Sequence, residues 1–352
     1  MSASDIVRSM RGRIPWTVAG QVLRSLDLDK SMGWRRTLAR VEDGDVQYED
    51  AESNLAEALE EHLLCGEKLV RLYRVDDGDT AVLRSQIDAI EVPENDFSYR
   101  YPVLLEDSEL HAFGGDPPRI AAKVSHPDGT YLVLASTRYL QSREIVLPAE
   151  LPDSAAHELR QYEQIICVGH RRLQACDVLW VPNEGNVIEI RTDFPLGMHS
   201  RVAVTAANQA QTRFGQILDP RFFAEQVNLF PAIQGLYSAR GDGRMVELGF
   251  MVAGSSQKLE KSRRDVECCR VETYHLGGIG VLSTPIAPYI ASVLWNIDLG
   301  SGAQSEPEVT LRGLSVQTAA PGAFLGDMTI RNCVGIVDYS HARDRVLAHL
   351  PA

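Results

Sequence analysis

The sequence lacks the patterns that name a reaction. It has no Gly-x-x-x-x-Gly-Lys-Ser/Thr loop, which excludes the usual phosphate cradle, no Gly-x-Ser-x-Gly elbow and no His-Glu-x-x-His helix. Gly277-Gly278-Ile279-Gly280 lacks the third glycine of a dinucleotide fingerprint and reads as a loop. No run of about 18 apolar residues occurs, so no membrane span is expected. The start, Met1-Ser2-Ala3-Ser4-Asp5, lacks the basic-then-apolar order of a signal peptide, and a cytoplasmic location is the expectation. Six cysteines are scattered without a Cys-x-x-Cys pair, and nine histidines include no two at ligand spacing, so buried thiols and no structural metal are expected. The neighbours Cys268 and Cys269 would point to opposite faces of a strand. Internal repeats and low-complexity segments are absent too.

What is present is an ordinary globular composition. The 352 residues are 44% hydrophobic and 24% charged, enough for a sizeable core and two or three domains. A net charge of −13 disfavours coating nucleic acid with the whole surface. The charge is unevenly spread. Residues 1–40 carry Arg8, Arg11, Arg13, Arg24, Lys30, Arg35, Arg36 and Arg40 against Asp5, Asp27 and Asp29, eight minus three or +5, whereas residues 41–67 hold ten acids and no Lys or Arg.

In order, residues 1–67 read as a helical interaction unit. Pro15 opens a helix with Val18, Val22, Leu23 and Leu26 at helical spacing, a second runs from about Met32 to Val41, and a third, Ala51 to Cys65, stacks Leu55, Leu59 and Leu63 before Gly66 stops it. Residues 68–150 read as a β-rich module: Lys68 to Val75 alternates as a half-buried strand, Asp76 to Asp79 turns into a strand from Thr80 to Leu83, and a second hairpin folds about His126-Pro127-Asp128-Gly129. Residues 151–352 read as a mixed α/β domain. It begins with a helix from Asp153 through Tyr162; a helix from Ser200 to Leu218, a helical stretch from Arg221 to Tyr237 and a strand from Met245 to Ala253 follow. Beyond these come a helix from Ile286 to Asn296, strands from Glu308 to Gln317 and Met328 to Val337, and a closing helix from Ser340 to Leu350. The fold class expected is α+β, with an N-terminal helical bundle, a β-rich middle and a mixed α/β C-terminal half.

The clearest hairpin is Cys176 to Asp193, two apolar runs joined by Pro182-Asn183-Glu184-Gly185-Asn186, with Glu189 and Arg191 on its second strand. Ile188 and Ile190 would face a core, leaving Glu189 and Arg191 side by side on the other face, where they can pair as ions. The order helix, strand, strand, strand, helix over residues 153–218, with an acid on one strand and Glu-x-basic on the next, resembles the PD-(D/E)xK nuclease superfamily. The resemblance implies that Asp177 and Glu189 hold Mg²⁺ or Mn²⁺, with Glu158 or Glu163 adding a carboxylate. Arg191 stands where that family has a lysine, so it could steady charge on phosphate but could not exchange a proton.

Three functions stay open. A non-catalytic binding or adaptor protein, a component of a larger assembly, follows from the charge-segregated residues 1–67 and would engage a protein partner through Arg35, Arg36 and Arg40. A metal-dependent nuclease-like enzyme working through Asp177, Glu189 and Arg191 is the alternative. DNA binding by a helix-turn-helix within residues 17–41 is the third. Such a mixture fits nucleic-acid handling or microbial defence.

Overall fold

The structure, a computed structural model, describes residues 2–146, 159, 161–163, 165–252, 256–262 and 267–351. It is an α+β protein, as its sequence leads one to expect. Helices α1 (Ala3–Arg13), α2 (Trp16–Ser25), α3 (Trp34–Glu42), α4 (Val46–Asp50) and α5 (Glu52–Cys65) come first. Ser2 caps α1 by accepting a hydrogen bond from the Asp5 N–H at 3.2 Å. The expected stripe of α5 is realised, with Leu55, Leu59 and Leu63 fully buried. Gly66 caps that helix, and only glycine fits there because a Cβ would lie 2.5 Å from the His62 ring.

The chain then builds one ten-stranded sheet in the order β2-β3-β4-β5-β1-β12-β11-β8-β6-β7. Its strands are β1 (Lys68–Arg74), β2 (Arg119–His126), β3 (Gly129–Val146), β4 (Ile165–Pro182), β5 (Val187–Asp193), β6 (Arg244–Val252), β7 (Ser256–Lys261), β8 (Ala287–Leu294), β11 (Glu308–Arg312) and β12 (Met328–Arg331), while β9 (Ile297–Gly300) and β10 (Ala303–Ser305) form a separate hairpin. All of the pairings are antiparallel. Strands on both sides of residue 150 therefore share one sheet, since β3 pairs with β4 along its whole length.

Both faces of this sheet are covered. One packs against α1, α2, α5, α10 (Phe230–Ser238) and α12 (Ile336–Leu347), the other against α6 (Asp79–Asp88) and α9 (Ser200–Ile217). The remaining helices are short: α7 (Asp96–Arg100), α8 (Asp107–Leu110) and α11 (Thr273–Gly280).

Several local expectations give way to this layering. β1 lies in the middle of the sheet, so it is buried on both faces, including Lys68 at 0% exposure, rather than alternating. Ala287–Leu294 is a strand and no helix, because a short apolar run in a sheet covered on both sides has the same composition as a buried helix. Residues after Asp76 turn into helix α6 rather than a second strand, with Gly78 supplying a left-handed φ of +87° just before it. Gly277 to Gly280 ends helix α11 instead of forming a loop. Only residues 328–331 of the run to Val337 are strand, since α12 begins at Ile336. The expected helix from Asp153 to Tyr162 falls largely outside the described residues.

Candidate functional site

The β4–β5 hairpin forms where expected, in the register Val178↔Arg191, Leu179↔Ile190 and Trp180↔Glu189. That register separates the residues the nuclease resemblance would unite. Glu189 and Arg191 share a face with Trp180 and Val178, on the side of α12, whereas Asp177 shares the opposite face with Leu179 and Val181. The sheet lies between the two carboxylates. Metal–oxygen bonds of about 2.0–2.6 Å cannot span it, so Asp177 and Glu189 do not form a ligand pair. Glu163 is exposed, and Glu158 lies outside the described residues. Among the described residues no three His, Cys, Asp or Glu side chains group as a metal ion requires.

Glu189 and Arg191 do meet, as an ion pair with Nε 2.7 Å from Oε2, both fully buried. Their face is no solvated surface, because α12 closes it. From that helix Tyr339 donates its OH to Glu189 Oε2 at 2.7 Å, and Arg343 Nη1 reaches Oε1 at 3.0 Å. Burial pushes the Glu189 carboxyl up, but the Arg191 and Arg343 guanidiniums outweigh it and hold the group below the usual carboxylate range. Arg191 Nη1 and Nη2 have no hydrogen-bond partner among the described residues. They are surrounded instead by the rings of Tyr339, Trp180 and Tyr131, whose centroids lie 4.1, 5.1 and 5.3 Å from the guanidinium carbon. This cluster docks the last helix on the sheet and leaves no room for phosphate.

Asp177 belongs to a different structure, the point where β4 and β5 part. Past Val178↔Arg191 the two strands no longer pair. Side chains replace the missing ladder: Asp177 Oδ1 accepts the Asp193 N–H at 3.0 Å, and Asp193 in turn accepts the Cys176 N–H. Lys68 Nζ bonds the Cys176 carbonyl at 2.8 Å and Asp193 Oδ1 at 2.6 Å, while Arg13 of α1 lies 2.8 Å from Asp193 Oδ2. Arg138 pairs with Asp177. Burial raises the Asp177 carboxyl despite Arg138, whereas Arg13 and Lys68 overcome burial to keep Asp193 below its ordinary range. Near these cations His62 is buried, neither ring nitrogen makes a hydrogen bond of normal geometry, and burial together with Arg13 and Lys68 pushes it down to about 3. Sequence reading had no access to Lys68, Arg13 or Arg343 as partners of these carboxylates. Each stands among other charged residues, so nothing in its neighbourhood singles it out.

The basic residues expected to bind a partner divide. Arg35 and Arg36 are exposed on α3. Arg40 is tied down, bonded to Asp45 and to the Asp29 carbonyl at 3.2 Å. Helices α2 and α3 are joined by residues 26–33, eight residues, where a helix-turn-helix uses a turn of about three or four.

An open cleft of about 1380 Å³ lies beside α3, between α1, residues 99–110 and the start of the covered part of β4. Its floor is aliphatic, with Leu38, Val103, Leu104, Leu105 and Leu173 between 6% and 8% exposed. Gln174 also lines it, 1% exposed; its Oε1 accepts the Leu105 N–H at 2.8 Å, which fixes the amide's orientation, and its Nε2 is buried without a partner among the described residues. Arg172 stacks on Tyr139 at 5.6 Å and pairs through Nη1 with Asp107 at 3.8 Å, and its buried Nε has no hydrogen-bond partner among the described residues. A smaller cleft of about 500 Å³ on the opposite side is floored by Arg71, which is engaged by Asp327 at 2.6 Å and Asn208 at 2.7 Å. Comparison with protein-family models, curated proteins and solved structures found no match.

Proposed function

We propose that this chain is a non-catalytic binding or adaptor protein that takes up a polypeptide segment of a protein partner in the α1–β4 cleft, as one component of a larger assembly. The observation that carries the reading is the cleft itself, about 1380 Å³ and open, with an aliphatic floor of Leu38, Val103, Leu104, Leu105 and Leu173 beside Arg11 and Arg171, which have no ion pair among the described residues. The ionic groups in the middle of the sheet engage one another, so they support architecture rather than catalysis. Residues 1–67 would supply part of the partner surface, since α1 and α3 contribute one wall of the cleft, and Arg35 and Arg36 are exposed elsewhere on α3.

The test is peptide display against the immobilised protein, counter-selected on a double variant, Arg172→Ala with Gln174→Glu. Sequences enriched on the parent and lost on the variant support the reading. Enrichment indifferent to the variant places binding elsewhere and sinks it. The nuclease alternative would return only if Mg²⁺- or Mn²⁺-dependent cleavage of supercoiled DNA appeared and vanished in Glu189→Gln.

A further inference from the structure

Away from both clefts, Arg270 is 1% exposed and all five of its N–H donors are occupied. Nη1 bonds the Leu236 carbonyl at 2.8 Å and the Ala239 carbonyl, satisfying the end of α10. Nη2 bonds the Asp242 carbonyl at 3.0 Å and the Gly243 carbonyl, just before β6. Nε bonds Cys268 Sγ at 3.1 Å. With every donor taken, none is left for a carboxylate, and no ion pair forms at Arg270 among the described residues. Four of the five acceptors are neutral carbonyls, while the guanidinium keeps its charge even when buried. The sulfur is therefore the one acceptor able to carry the negative charge that a buried cation calls for.

The backbone holds the sulfur in place for that role. Residues 268–271 form a turn, with the Val271 N–H on the Cys268 carbonyl at 3.0 Å, and the Cys269 N–H pins the turn to β6 through the Met245 carbonyl at 2.9 Å. The Met245 N–H in turn donates to Cys268 Sγ at 3.3 Å. Two donors thus converge on one sulfur, and both favour its charged form. Burial pushes the Cys268 thiol up, but the Arg270 and Met245 bonds outweigh it and hold the thiol below its ordinary range. The carboxylate of neighbouring Asp242 is engaged elsewhere, by Trp295 Nε1 at 2.8 Å and Arg345 at 3.6 Å. The other thiols differ. Cys65, Cys176, Cys269 and Cys333 are buried, and burial raises each of them, whereas Cys167 is exposed. Cys268 combines partial exposure with a fixed cation, the setting in which thiols react.

We infer that Cys268, paired with Arg270, stands as a thiolate at neutral pH and is the site at which hydroperoxides modify this protein. The thiolate attacks one peroxide oxygen: an S–O bond forms, the O–O bond breaks, and the second oxygen leaves with the bonding pair and takes a proton from water. Sulfur loses two electrons to become a sulfenic acid, and the peroxide gains them. Partial burial of Cys268 favours so small a reagent. The inference is independent of the peptide-binding reading.

The test treats the protein with hydrogen peroxide and dimedone, which traps sulfenic acids, and follows each cysteine by mass spectrometry from about pH 6 to pH 9. Cys268 should be trapped about tenfold or more faster than exposed Cys167 at pH 6, and the advantage should shrink toward pH 9, where an ordinary thiol also ionises. The label should vanish in Cys268→Ser and remain in Cys269→Ser. A second readout needs no reaction. Cys268→Asp places a permanent anion beside Arg270, so its urea midpoint at neutral pH should exceed that of Cys268→Asn, which is of the same size and neutral. Trapping of Cys268 no faster than Cys167 at pH 6, a label that survives Cys268→Ser, or an Asp variant no more stable than the Asn variant would each overturn the inference.

Discussion

The centre of the sheet and the α1–β4 cleft both hold arginines beside carboxylates, yet they differ in what is left over. At Glu189 two cations and a hydroxyl meet one carboxylate inside a closed layer, and the spare donors of Arg191 rest against aromatic rings. At the cleft Glu42 pairs with Arg8, Glu109 with Arg100 and Asp107 with Arg172, while Arg11, Arg171 and Glu106 lie beside open space with no ion pair among the described residues. Charge density alone does not mark a site. Unmatched hydrogen-bonding capacity beside a cavity does, because an unmade bond there can be supplied only from outside.

The sharpest way to break this contrast is Glu189→Ala, which strands Arg191 in a dry layer and leaves Arg343 only its pairing with Asp344. Urea denaturation should show a loss of about 3–5 kcal/mol, the usual result of removing one partner of a buried pair. A loss below about 1 kcal/mol would show that the cluster is more hydrated than its burial indicates. Replacing Glu189, Arg191 and Arg343 together by Leu and Met should cost less than that single change, since apolar substitutes remove the stranded charges along with their partner.

Next in size is a pH effect from His62. Its folded pKa of about 3 lies below the unfolded value of about 6.5, so below pH 6.5 the unfolded chain binds a proton that the folded protein refuses. Stability should therefore fall with decreasing pH by up to about 1.4 kcal/mol per unit through that window, and His62→Leu should flatten the slope between pH 6.5 and 5. Glu189 and Asp193, with lowered pKa values, add a further loss only below about pH 4, where the unfolded chain's carboxylates take up protons that the folded ones refuse, while Asp177, raised, acts in the opposite direction. A flat urea midpoint from pH 7 to 5 in the parent would refute the assignment to His62.

The smallest stability effect belongs to the cleft. Arg11→Glu with Arg171→Glu should leave the urea midpoint within about 0.5 kcal/mol of the parent, as surface changes without partners do. A large loss would mean that these arginines are structural, and the difference between the two regions would disappear.

The hairpin illustrates how far sequence reading reaches. Its turn, its two strands and the pairing of Glu189 with Arg191 were legible from Pro182-Asn183-Glu184-Gly185-Asn186 and a period of two. What covers that pair was not legible, because alternation says which residues share a face but not what lies over it. β8 failed for a related reason: in Ala287–Leu294 both faces are covered, so its sequence carries no period. The candidate site was less legible still. Arg35 and Arg36 were read from local charge, while Gln174 is an ordinary polar residue in a strand until the strap at Leu105 uses one end of its amide and leaves the other free.

The sequence by itself determined the α+β character, the stripe of α5, the β4–β5 turn and the charge reversal after residue 40, since each depends on neighbours a few positions apart. Only the tertiary structure decided that Asp177 and Glu189 lie on opposite sides of one sheet, that Lys68 and Arg13 close on Asp193, and that α1, residues 99–110 and β4 enclose a cleft. Those are contacts between residues up to 180 positions apart, as between Arg13 and Asp193, and local periodicity holds no record of them.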